Sequence, residues 1–376
     1  MEDLINFRKH LHQHPELSGF EVNTAQKIID FITPFSPTKI IKNLGGHGVA
    51  VIFEYSKTGK TVMIRCELDA LPIQEKNDFQ HRSNRENISH KCGHDGHMII
   101  LCALAQKLQN ANFEMGRVVL LFQPAEENGQ GAKAVLEDSK FQEIEPDYVF
   151  ALHNLPGLPM HSIYHVKGQF TPTVQSLAIK LEGKTSHAAE PENGINPALA
   201  ISELIQDFKE LEVPNPDEKD FTLITPVHIL MGQKDYGISA GSGELHFTMR
   251  CWSVQKMEEL VSKSYDLLDK VCGTYNLKYE TEWFDYFPTV KNDDYCNELI
   301  LKASKRLDLQ IITPNHGCKF GEDFGFISQK YKGAMFALGA GEDTPSLHND
   351  DYDFPDELIE AGRDVFWEII NQILDI

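Results

Sequence analysis

At 376 residues the chain exceeds one ordinary hydrophobic core and suits two domains. Its 41% apolar and 24% charged composition is that of a globular protein, and a net charge of −21 would repel nucleic acid and anionic membrane alike. No apolar run approaches the ~18 residues of a membrane span, the start MEDLINFRKHLHQHPELS has no apolar signal core, and seven scattered cysteines suit free thiols, so a cytoplasmic location is expected.

In chain order, short apolar runs predict buried strands at GVAVIFEY (48–55), TVMIRCEL (61–68), RVVLLFQ (117–123), DYVFALHN (147–154) and GAMFALGAG (333–341). Helical patterns lie at GHMIILCALAQKLQNA (96–111), with Asp95 as N-cap, at GQGAKAVLEDS (129–139) and over residues 355–375. Strands alternating with helices predict an α/β sheet with parallel strands at its centre. The segment 170–284 has a different texture. SLAIKLEG, a helix at NPALAISELIQDFKEL, TLITPVHIL, ELHFTMRCW, a helix at VQKMEELVSKSYDLLDKVCGTYN and KYETEWF give the order βαββαβ, a ferredoxin-like split motif. The expected organisation is a discontinuous α/β domain of residues 1–169 and 285–376 carrying an inserted α+β domain of residues 170–284.

Ligands of open α/β sheets bind beyond the carboxyl ends of the strands, and chemistry-bearing residues recur there. Glu67 and Asp69 follow TVMIRC, Glu126 and Glu127 follow RVVLLFQPA, His153 ends DYVFAL, and His348 lies in TPSLHND beyond GAMFALGAG. SHKCGHDGHMII (89–100) places His90, Cys92, His94 and His97 just ahead of an apolar helix. Cys92 and His94 are two apart, so in an extended segment both would leave one face and meet one or two metal ions. Glu126 and Glu127, in a loop after Pro124, could divide metal binding and water activation. A zinc finger would need a second ligand pair at close spacing, and none follows. Taken singly, the acidic pair reads as a solvated loop, His153 as a strand-end histidine and His187 in GKTSHAAEP as turn surface. Their joint occurrence along one sheet edge carries the metal-site reading. Gly237-Ile-Ser-Ala-Gly241 fits the G-x-S-x-G nucleophile pattern, but the alternating run ELHFTMRCW follows where a helix is required.

Eight segments, in order and nearly end to end, resemble the M20 peptidase group, in its subfamily of N-acyl-amino-acid and auxin-conjugate hydrolases. They are RKHLHQHPELSGFE (8–21), RCELDALPI (65–73), HKCGHDGHM (90–98), LLFQPAEENGQGA (120–132), ALHNLPG (151–157), GKTSHAAEP (183–191), GEDFGFI (321–327) and LGAGEDTPSLHND (338–350). The resemblance implies a zinc-exopeptidase-like catalytic domain with a mixed sheet and an inserted ferredoxin-like lid that mediates homodimerisation. It implies two divalent ions, zinc or manganese, held by Cys92, His94, Glu127, His153 and His348. Glu126 matches the general base and His187 a lid histidine that steadies the oxyanion, while His90 and His97 fall to supporting roles. The implied reaction is hydrolysis of a small N-acyl amino acid to a carboxylate and a free amino acid. The alternatives are short-peptide hydrolysis on the same scaffold and a silent metal-binding protein. Departures gather in the insert, where Gly237-Ile-Ser-Ala240 replaces an Asn-Val-Ile-Pro-like segment, GKTSHAA replaces GKGGHAA, and Glu192 stands at a usual histidine. Outside it, Glu67 replaces the first aspartate of a D-x-D stretch. Arg250, on an insert strand, is a candidate partner for a substrate carboxylate, with a plain surface arginine as the simpler reading.

Overall fold

The computed structural model describes residues 1–374 and divides into two compact units. The first comprises Met1–Phe170, Val290–Asn315 and Glu322–Ile376, and the second Thr171–Thr289 with His316–Gly321.

An eight-stranded mixed sheet forms the first unit. Its order is Lys39–Leu44, Gly48–Glu54, Arg117–Gln123, Thr61–Glu67, Tyr148–Leu155, Lys332–Gly339, Ile163–Tyr164 and Ile311–Ile312. The four strands from Arg117–Gln123 to Lys332–Gly339 run parallel. They are almost wholly buried, because helices cover the sheet and continuous apolar runs satisfy both faces. The helices Glu2–Gln13, Val22–Ile32, His94–Leu108, Asp294–Arg306 and Leu358–Leu374 contribute Leu4, Ile28, Met98, Leu101, Ile300 and Ile369 to one core with Val51, Ile64, Leu120 and Phe336. Lys39–Leu44 escaped the sequence reading because it is an edge strand, and its lysines keep that edge polar.

The helix after the Cys–His cluster starts at His94, earlier than the sequence suggests. Gly93 is its N-cap, with a left-handed φ of 92°, and Asp95 is no cap. The Asp95 carboxylate lies inside the first turn and pairs with Arg8 and His12, each at 2.9 Å. Cys92 therefore ends a loop and His94 begins a helix, so the two are not an extended pair.

The second unit is a four-stranded antiparallel sheet, ordered Thr222–Met231, Ser242–Cys251, Thr173–Glu182 and Lys278–Phe287. The helices Ala198–Glu210 and Val254–Thr274 share one core with it, in which Leu204, Phe208, Leu260 and Leu268 join Leu177, Ile179, Leu245 and Phe247. Ser253 caps the longer helix by accepting the Lys256 N–H. This is the split βαββαβ arrangement. Among the described residues, no helix is long and apolar enough to cross a membrane.

Candidate metal centre

The parallel core strands end on one side of the sheet, and the loops beyond them converge. Ala125, ahead of the acidic pair, has a φ of 52°, and His348 has a φ of 65°; both are left-handed turns that side chains adopt only under local constraint. Cys92 Sγ lies 3.3 Å from His153 Nε2. His94 Nε2 lies 3.9 Å from both Glu126 Oε2 and Glu127 Oε1, and His348 Nε2 lies 3.8 Å from Glu127 Oε2. Two groups of possible ligands, Cys92–His94–His153 and Cys92–Glu127–His348, each bring one atom per residue within 4.8 Å of the others and share the cysteine.

These donors fit divalent cations. Separations of 3.8–3.9 Å are too long for hydrogen bonds. They match ligands spread around one ion at about 2.0–2.3 Å. His94 Nε2 and Glu127 Oε1 are buried with no hydrogen-bond partner. Two of the three imidazoles are also turned the right way: His94 Nδ1 meets the Asp69 carbonyl at 3.0 Å and His153 Nδ1 the Asn154 carbonyl at 2.8 Å. A proton on each Nδ1 leaves the Nε2 lone pair for a metal.

The local charge asks for a cation as well. Burial, then Glu322, Glu127 and Asp323, push the Glu126 carboxyl well above its usual range. Burial raises Glu127 to about 7 despite the opposing pull of His94. Burial and the charges of Glu127 and Glu126 raise the Cys92 thiol, so a thiolate there needs a metal beside it. Burial would depress His94, yet Asp69, Glu67 and Glu127 overcome it and raise it to about 10. The same negative field favours a metal ion at Nε2.

A second layer of side chains holds this set in place. Asp69 accepts the Glu127 N–H at 2.9 Å and the Ser18 hydroxyl at 2.7 Å. His97 bridges Glu67 at 2.6 Å and Asn154 at 2.5 Å, and Asn154 donates to the Tyr352 hydroxyl. Arg65, fully buried, binds Glu67, Glu322 at 3.0 Å and Asp323 at 2.6 Å. Asn154, Tyr352, Glu322 and Asp323 were given no role from the sequence. GEDFGFI contains two of them, Glu322 and Asp323, and ALHNLPG a third, Asn154. His90 is buried with neither ring nitrogen partnered, and burial lowers it to about 3, so it is neutral.

His187 belongs to the second unit and is exposed. Its two-residue strand Ser186–His187 pairs with Ile238–Ser239, so the departure at Gly237–Ala240 lies directly against it. Ser239 continues into the strand Ser242–Cys251 with no helix following, and the nucleophile-elbow context is absent. Arg250 is engaged locally, donating from Nε to the Lys319 carbonyl at 3.0 Å.

Similarity to known proteins extends over nearly the whole chain. The profile of Peptidase family M20/M25/M40 matches residues 63–372. The N-acetyldiaminopimelate deacetylase of Oenococcus oeni is 30% identical over 96% of this chain and 95% of its own length. The N-acetyl-L-cysteine deacetylase of Bacillus subtilis is 27% identical over 100% and 89%, and the hippurate hydrolase of Campylobacter jejuni 28% over 96% and 93%. A crystal structure of a dinuclear metal-binding M20 peptidase from Bacillus subtilis superposes with a TM-score of 0.85 at 26% identity, covering 100% of this chain and 98% of that one. The chain belongs to peptidase family M20/M25/M40.

Proposed function

We propose that this protein is a dinuclear metal-dependent amidohydrolase that cleaves small N-acyl amino acids to a carboxylate and a free amino acid. The observation that carries the reading is the pair of ligand groups sharing Cys92, with Glu126 alongside as a further carboxylate. Similar chains named as deacetylases of N-acetylated amino acids and as a hippurate hydrolase support the substrate class.

In this reading Cys92, His94, Glu127, His153 and His348 hold two divalent ions. Imidazole and carboxylate donors suit zinc and manganese alike, and the soft thiolate favours zinc. When bound, the ions supply Lewis acidity toward the amide carbonyl and lower the pKa of a nearby water. Glu126 accepts the proton of that attacking water on its carboxylate and passes it to the leaving nitrogen. His187 serves as oxyanion donor. Its Nδ1 accepts the Ala189 N–H at 3.0 Å, which leaves the proton on Nε2 for donation. Segment 170–284 acts as the lid and dimerisation domain. The edge strand Thr222–Met231 exposes Val227, Ile229, Leu230 and Met231 together, a surface suited to a second copy of this chain. Seven free, buried cysteines fit a reducing cytoplasm.

The functional test is Glu126→Gln. Turnover of an N-acetyl amino acid is expected to fall at least about a hundredfold with both ions retained; turnover near that of the wild type would remove Glu126 from the role of base. The assembly test is Ile229→Lys, expected to shift the protein from dimer to monomer in light scattering. An unchanged mass would count against that edge as the interface.

A further inference from the structure

Glu21 occupies the N-cap of the helix Val22–Ile32 but makes no side-chain bond to that helix. Its carboxylate is spent elsewhere. Fully buried, it accepts two backbone N–H groups on one oxygen, Oε1: Ala125 at 2.8 Å and Gly19 at 2.9 Å. Ala125 is the residue with the left-handed φ of 52°, and it immediately precedes Glu126. The Ala125 carbonyl is fixed in turn by the Gly131 N–H at 2.9 Å. Two residues on, the Glu127 N–H is held by Asp69, which the Ser18 hydroxyl secures. The acidic pair is therefore gripped on both sides, each time by a carboxylate tied to the segment from Ser18 to Glu21.

We propose that Glu21 is a positioning residue for the general base. By holding the Ala125 N–H it maintains the left-handed turn that aims Glu126 into the metal centre. The second oxygen, Oε2, is buried without a partner, so the task uses the reach of the side chain and one acceptor atom rather than the full carboxylate. Glu21 acts through Ala125 and touches none of the proposed ligands. The proposal rests on the reading of Glu126 as base.

The test compares Glu21→Asp with Glu21→Gln, each alone and combined with Glu126→Gln, measuring kcat, KM and bound metal with an N-acetyl amino acid. Aspartate keeps the charge but is one methylene too short to reach Ala125. It is expected to lower kcat about tenfold, a fraction of a typical general-base contribution, with KM within about twofold and both ions retained. Glutamine keeps the length and the acceptor oxygen, and is expected to stay within about threefold of wild type. With Glu126→Gln already in place, Glu21→Asp should cost less than about twofold, since no base remains to be aimed. Full activity in Glu21→Asp, loss of metal accompanying the loss of rate, an active aspartate with an impaired glutamine, or a full tenfold loss on top of Glu126→Gln would each overturn the proposal. Undiminished turnover of Glu126→Gln alone would contradict the base assignment, and the role of Glu21 would fall with it.

Discussion

Gly93 sits between two proposed ligands and has two reasons to lack a side chain. Its φ of 92° disfavours any L side chain, and a Cβ there would stand 2.6 Å from Asn154 Oδ1 and 2.9 Å from Nδ2. Asn154 cannot step aside, because His97 and Tyr352 hold both ends of its amide. Gly93→Ala is therefore expected to cost about 1–3 kcal/mol of stability and to lose at least one ion per chain on dialysis, read by denaturation and metal analysis. Full occupancy with unchanged stability would show that the crowding is relieved elsewhere. At this scale the sequence exposes residue types better than partners. Cys92, His94, Glu127, His153 and His348 stand out in the sequence because each falls in a segment that matches a motif. The roles of Glu21, Asn154 and Tyr352 do not, since each meaning depends on a partner far along the chain, such as Ala125 for Glu21.

Two helices are joined by His12. It lies on Glu2–Gln13 and bridges Asp95 on His94–Leu108, at 2.9 Å, to Glu75 at 3.1 Å. Burial alone would depress its pKa, but the bonds to Asp95 and Glu75 and the nearby charges of Asp95 and Asp353 raise it to about 9. A folded pKa above the unfolded value of about 6.5 gives a contribution fully present below that value and lost as pH rises through about 9. The stability gap between wild type and His12→Gln should thus narrow by roughly 3 kcal/mol between pH 6 and pH 9.5. A gap constant across that range would mean that His12 does not carry the extra proton. Element identity was mostly legible, because strands buried on both faces write themselves as apolar runs. The start of His94–Leu108 was not, because a glycine in left-handed geometry caps it instead of a polar side chain. Lys39–Leu44 was hidden by the polarity an edge strand requires.

Across the whole chain, one sheet explains why distant motifs converge. Strands from residues 61–67, 117–123, 148–155 and 332–339 lie side by side and parallel, so loops far apart in sequence open on the same edge. That convergence was legible in outline from the placement of carboxylates and histidines after apolar runs. Substrate choice was not legible, because the departures cluster in the inserted unit around His187 and Gly237–Ala240, where motif matching gives no chemistry. The most direct test is therefore amino-acid release from matched N-acetyl amino acids, N-benzoyl amino acids and dipeptides. Protein stripped of metal is assayed first, then again after adding Zn²⁺ or Mn²⁺. Stripped protein should be silent, and added metal should restore cleavage of an N-acyl amino acid at least about tenfold faster than the matched dipeptide, a difference of about 1.4 kcal/mol in barrier. Undiminished release by metal-free protein, or a preference for the dipeptide, would contradict a metal-dependent N-acyl-amino-acid hydrolase.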